Sequence, residues 1–244
     1  DPYKLISDLR TFFPPEEGQF IIGPMGILAW GTPTIIEGEL GLLLEFPDPI
    51  RIALLGELRL MLPDKDNALV LINVNILGII DFEKKMLAID ASLCKSRLLD
   101  FPLTGDMALR LNWGAEPNFA LSVGGFHPAF NPPPNFPTLR RLRVSIGDGD
   151  NPRLNLDHYI AVTSNSVQFG ASLDLYAHAC GFSISGKFGY DALFIFSPFS
   201  FVVDIYGHVR LRGPVSKGLG ISIRLSGPSP WYVRGKASFK VCFV

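Results

Sequence analysis

"TIIEGELGLLLEFPDPIRIALLGELRLML", residues 34–62, decides the fold. In its first arm Ile36, Gly38, Leu40, Leu42, Leu44 and Phe46 recur at every second position. In its second arm Ile50, Ile52, Leu54, Gly56, Leu58, Leu60 and Leu62 do the same. A period of two places each set on one side of a β-strand. A turn centred on Asp48 then sets Glu45 opposite Arg51, Glu37 opposite Arg59, Leu42 opposite Leu54 and Leu44 opposite Ile52. Apolar residues meet apolar ones and opposite charges meet, which is how an antiparallel register is specified.

The same alternation runs on through 68–80, 87–95, 106–113, 118–126, 141–147, 153–162, 166–179, 182–195, 199–212, 219–226 and 231–243, with a further strand near 19–30. Turn signals such as "PDKDN", "DFEKK", "GAEPN" and "GDGDNP" separate these runs. The expected fold is all-β: a large antiparallel meander closing into an elongated sandwich or barrel-like sheet. One short N-terminal helix is expected in "DPYKLISDLRTFFPP", where Leu5, Leu9 and Phe12 share a helical face and Pro14–Pro15 stop it. The proline-rich "GFHPAFNPPPNFPT" cannot pair in a central strand. The chain therefore divides into a lead-in over 1–18, a sheet over 19–126, a crossover over 127–140 and a sheet over 141–244, or one continuous domain in place of the two sheets. Phe126, Phe130 and Phe136 are the aromatic anchors of that crossover, read as a strap on the core.

Hydrophobic residues make up 48% of the chain and charged ones 18%, enough for a core and far from a disordered composition. A net charge of −1 gives no electrostatic reason to expect nucleic acid. Cys94, Cys180 and Cys242 are odd in number and widely spaced, which points away from a disulfide framework and leans towards a reducing, cytoplasmic setting. No apolar run is long enough for a membrane helix and no signal peptide is visible. Charges on nearly every strand argue against a lipid-facing barrel. The chain ends in mid-pattern on "KASFKVCFV", which suggests a piece of a longer polypeptide.

"DLYAH" at 174–178 and "DIYGH" at 204–208 look like halves of a site. In a meander these rows are second neighbours, about 10 Å apart, and within each row Asp and His are about 13 Å apart. They read as a polar face. His178, Cys180 and His208 are a weak metal alternative, with nothing to fix the remaining ligands. Glu39 and Glu57 stand opposite each other in the hairpin, at the spacing of a retaining glycosidase pair, and make a polysaccharide hydrolase the alternative function. His158 falls on the apolar side of its strand, the usual place of a core histidine. Phe182, Phe188, Phe194, Phe196, Phe199 and Phe201 concentrate apolar bulk in the C-terminal half. With His158 they are the expected lining for a lipid-like ligand held between the sheet faces. No cofactor motif is present.

"ALSVGGFHPAFNPPPNFPTLRRL", "NPRLNLDHYIAVTSNSVQFGASLDLYA", "GKFGYDALFIFSPFSFVVDI" and "LSGPSPWYVRGKASFKVCF" resemble a domain of unknown function found in large β-rich bacterial, and some fungal, proteins. "GPMGILAWGTPT" and "SRLLDFPLTGDMALRLNWG" extend the resemblance over most of the chain. It implies no established activity. Where that family carries small residues, His178 and His208 stand here, which argues against either as a family-wide catalytic group. The expected function is a non-enzymatic scaffold or binding module, whose partners are other regions of a longer chain, a further copy, or a lipid-like ligand.

Overall fold

A computed structural model of the chain describes residues 17–48, 50–147, 149–228 and 230–243. Along these run β1 (Phe20–Ile22), β2 (Met25–Trp30), β3 (Ile36–Phe46), β4 (Arg51–Leu62), β5 (Val70–Asp81), β6 (Met86–Leu93), β7 (Ser96–Leu98), β8 (Phe101–Thr104) and β9 (Asp106–Asn112). They continue as β10 (Asn118–Val123), β11 (Leu142–Ile146), β12 (Arg153–Thr163), β13 (Ser166–Ala179), β14 (Phe182–Phe196), β15 (Phe199–Arg212), β16 (Val215–Gly227) and β17 (Tyr232–Phe243). All belong to one sheet, and every pairing is antiparallel.

The opening hairpin has the register its sequence dictates: Glu37 faces Arg59, Leu42 faces Leu54, Leu44 faces Ile52 and Glu45 faces Arg51. Beyond β5 the sheet divides lengthwise. One half runs β5–β6–β9–β10–β12 and the other β5–β7–β8–β11–β12. From β12 to β17 it is a plain meander.

The expected closure into a sandwich or barrel is not found. Among the described residues β2 registers only on β3 and β17 only on β16, so the two ends of the sheet do not pair with each other. Among the described residues all strands belong to this one sheet, and no second sheet lies opposite it. The chain accordingly exposes 15620 Å², against roughly 10,800 Å² for a compact monomer of 26.8 kDa. Alternation fixes which side of a strand is apolar, but closure depends on accumulated twist and on the edge strands, which no local pattern encodes. The expected N-terminal helix lies outside the described residues, and among those residues there is no helix.

The register keeps every strand's apolar set on the same side. One row of that apolar face reads Phe169, Ala192 and Val203 across β13–β15, and another Leu173, Phe188 and Gly207. The opposite, polar face is the enclosed one. It holds buried Ala53, Met61, Ala108, Ala120, Tyr159, Ala161 and Leu193, together with buried Glu45, Asn73, Asp81, Ser122, Ser166, Gln168 and Asp191. Ion pairs stitch it: Arg51 to Glu45 and Asp81, Arg59 to Glu37 and Glu57, Arg110 to Asp90, Arg153 to Asp174.

Gly170 of β13 marks how tightly that side is packed. A Cβ there would meet the ring of Tyr159, the Tyr190 carbonyl at 2.7 Å and the Asp191 carboxylate at 2.8 Å. At Gly235 of β17 it would meet nothing within 4 Å. Gly170→Ala should therefore cost about 1–3 kcal/mol, and Gly235→Ala should stay within about 0.5 kcal/mol of wild type. Urea unfolding of both variants measures the contrast.

Candidate functional site

The most elaborate constellation lies where the proline-rich segment between β10 and β11 crosses the polar face. Gly124 (φ 75°) and Gly125 (φ 90°) turn the chain out of the sheet. A side chain at Gly124 would strike the His158 carbonyl at 2.6 Å, so the departure requires glycine. The segment clamps itself with Phe126 stacked on Phe130 (5.2 Å) and edge-on to Phe136 (4.8 Å). Its far end is tied by Arg140, which donates to both oxygens of Asp106 at 2.9 and 2.6 Å, with its backbone N–H on the same carboxylate.

Small residues make room beneath the segment. Ala108, Ser122 and Ala161 stand in register on β9, β10 and β12, leading to Gln168 on β13. Ser122 donates to the Gly125 carbonyl (2.7 Å), and the fully buried Gln168 accepts the His127 N–H (2.9 Å) while donating to Ser166 (3.0 Å). Arg141 lays its guanidinium 3.8 Å from the centre of the Tyr159 ring and donates to the carbonyls of Gly124 (2.8 Å) and Phe126 (2.9 Å). The Tyr159 hydroxyl donates to Asp191 at 2.9 Å. Burial, and then the Asp191 bond, push the Tyr159 phenol far above its ordinary pKa. Tyr206 is raised too, by burial and by Asp191. Both phenols are thus neutral hydrogen-bond donors at physiological pH.

His127 is 3% exposed. Its Nδ1 accepts the Ala129 N–H at 3.1 Å, which leaves the proton of the neutral ring on Nε2. That Nε2 is buried with no partner among the described residues. Burial lowers the pKa of His127, and the charge of Asp191 acts in the opposite direction. Two recesses flank the neighbouring Pro128. One, about 200 Å³, is bordered by Arg141, Tyr159, Lys187 and Asp191; the other, about 360 Å³, by His127, Asp204, Tyr206 and Arg224. Asp204 is held there by Arg224 through two bonds of 2.6 and 2.8 Å. The cluster is an ordered array of hydrogen-bonding groups whose carboxylates Asp157, Asp191 and Asp204 are engaged by Arg143, Tyr159 and Arg224.

The residues singled out from sequence fall elsewhere. Glu39 and Glu57 are directly opposite, as expected. They border only a small recess of about 80 Å³, and Arg59 already holds Glu57 at 3.3 Å. His178 faces Ser183, whereas His208 faces Lys187 four residues further along β14, so the strands hold the two histidines apart. Cys180 sits in the intervening turn with φ 49°. Among the described residues no group of three His, Cys, Asp or Glu side chains converges to hold a metal. Phe182, Phe188, Phe194, Phe196, Phe199, Phe201 and His158 all lie on the apolar face of β12–β15. Phe182, Phe196 and Phe199 are about half exposed, and Phe201 is buried against Trp231 (4.9 Å). Among the described residues no second sheet faces these side chains to make a trough. His127, Arg141, Tyr159 and Asp191 escaped the sequence reading because strand periodicity says nothing about what a loop covers. The usable signal was the run of small residues on an otherwise polar and charged side.

The description "Family of unknown function (DUF6603)" belongs to the family matched by residues 1–244. No curated protein and no solved structure matches the chain. Among the described residues no helix is long and apolar enough to cross a membrane.

The tie at the end of the strap is pH-dependent. Hydrogen bonds from Arg140 bring the Asp106 pKa from 3.8 down to about 2, against the opposing effect of burial. A lowered carboxylate pKa contributes stability above the unfolded value and loses it as pH falls through the folded one. Asp106→Asn should cost about 1–2 kcal/mol at pH 7, and the gap to wild type should close between pH 4 and pH 2. Urea midpoints across that range test it. Tyr159→Phe, which strips Asp191 of a buried donor, should cost a similar amount, about 1–2 kcal/mol at neutral pH.

Proposed function

We propose, for a chain that belongs to this family of unknown function, that it is a non-enzymatic assembly module that builds a larger β-structure. The observation that carries this reading is the uncovered apolar face. Ile205, Leu219, Ile221, Val233 and Phe239 are each more than half exposed, and all lie on the same side of β15–β17. Contiguous apolar surface on that scale marks an interaction surface.

Two needs coincide in this sheet. The apolar face needs an apolar cover, and the edge strands β2 and β17 need hydrogen-bond partners for their outer backbone groups. Further β-structure, from the remainder of a longer chain or from another copy, answers both needs. A lipid answers only the first, because open strand edges find no partners in hydrocarbon. That difference favours assembly over lipid carriage. The polysaccharide-hydrolase alternative has less support: Glu57 is tied to Arg59 and the recess beside the pair is small.

Ile205→Lys combined with Ile221→Lys tests the reading, because both side chains are half exposed and their loss costs the isolated fold about 1 kcal/mol or less. The wild-type chain should self-associate as concentration rises in native mass spectrometry, or bind a hydrophobic dye while monomeric. The double variant should lose both behaviours. A wild-type monomer that binds no dye at any concentration would overturn the proposal. Stoichiometric co-purifying lipid would overturn it in favour of a lipid carrier.

A further inference from the structure

Seven arginines of the polar face and its strap are matched to carboxylates: Arg51, Arg59, Arg110, Arg140, Arg143, Arg153 and Arg224. On β15 and β17 the pattern stops. Arg210 and Arg212 on β15, and Arg234, Lys236 and Lys240 on β17, form no ion pair among the described residues. Beyond Asp204, which Arg224 already takes, these strands carry no carboxylate.

Strand register arranges this surplus charge around a trench. Arg210 faces Gly218 on β16, and Gly218 faces Lys240 on β17. The next row reads His208, Gly220 and Ser238. In each row glycine occupies the middle strand, so its floor is bare backbone. The outer strands are about 10 Å apart and raise side chains on both banks. The resulting cavity, about 690 Å³, is bordered by His208, Arg210, Arg212 and Lys240, and also by the apolar Leu219 and Phe239. A Cβ at Gly218 would come no closer than 3.8 Å to any neighbour, so the space above it is open.

We propose that this trench on β15–β17 is a binding site for a phosphate-bearing ligand. The width suits a phosphate group seated between Arg210 and Lys240. Arg offers paired N–H donors to phosphate oxygens and Lys a mobile point charge. Several like charges around a concave floor concentrate anions there. A carboxylate-rich partner fits less well, since one compact group that meets both banks of the trench must present acceptors in more than one direction. The site lies on the face opposite the apolar one, so it stands or falls independently of the assembly reading.

The probe is inorganic pyrophosphate, titrated by calorimetry into the whole chain at 50 and 150 mM salt. Gly218→Val fills the trench without removing a charge, and Lys240→Gln removes one bank without filling it. Gly218 is half-buried and Lys240 exposed, and circular dichroism checks the folding of both variants. Binding that weakens at least tenfold in each variant, and falls with salt as surface charge pairing must, establishes the site. Lys65→Gln, on the loop before β5, should leave affinity unchanged. Vesicles of phosphatidylcholine with a fifth phosphatidic acid identify the source. Vesicle binding displaced by pyrophosphate means a lipid headgroup; pyrophosphate binding without vesicle binding means a soluble phosphate. No pyrophosphate binding at 50 mM salt, or binding indifferent to Gly218→Val, overturns the proposal.

Discussion

The rest of the structure depends on the constancy of side along the sheet. An antiparallel register with a period of two cannot slip by one residue without exchanging its faces. In this chain no strand slips, even where the sheet divides around β6–β11. Leu121 of β10 faces Val162 of β12, while Val144 of β11 faces Leu156 of the same strand, so both halves deliver aliphatic residues to one side. Apolar burial, the usual source of stability, is therefore left incomplete, with much of one face still in water. The enclosed volume is on the other side, where hydrogen bonds, ion pairs and a strap fill it.

That inversion explains why the strap is so heavily fastened. A segment lying on a polar surface gains little from the hydrophobic effect, so it needs directional bonds. Arg140 on Asp106 fixes one end, Arg141 fixes the backbone at Gly124 and Phe126, and Gln168 fixes His127. The three phenylalanines contribute by burying one another, which keeps apolar surface off the polar floor. Glycine and alanine beneath the strap set its height. Where Gly170 leaves space, the Tyr159 ring and the Asp191 carboxylate move in.

Much of this was legible in residues 34–62 alone, because alternation, a Pro-Asp-Pro turn and complementary charges fix a hairpin and its register together. The alternating runs further along fix their strands for the same reason. What escaped is what alternation does not encode. Whether a sheet of this width closes depends on small twists summed over many strands, and Leu42 looks the same in a core as on an open face. The metal and carboxylate candidates came from matching residue types to distances along one or two strands. Register placed His178 and His208 far apart, and Arg59, two residues along the same strand, holds Glu57. The His127 cluster could not be reached in that way, since its members come from a loop and from strands on either side of it. Only the small residues at Ala108, Ser122 and Ala161 announced that something lies above them.

Charge on the polar face then separates what serves the fold from what is left over. An arginine that bonds a neighbouring carboxylate contributes modestly to stability at a surface and keeps the face electrically quiet. Seven arginines do so here, on strands and at the strap. Arg210, Arg212, Arg234, Lys236 and Lys240 stand on β15 and β17, on either side of a β16 that presents Gly218 and Gly220 between them. Self-repulsion among these groups is a cost that the isolated sheet carries without return. The face is thus incomplete in two chemically distinct ways, lacking apolar cover on one side and anions on the other, and a single partner of one character cannot supply both.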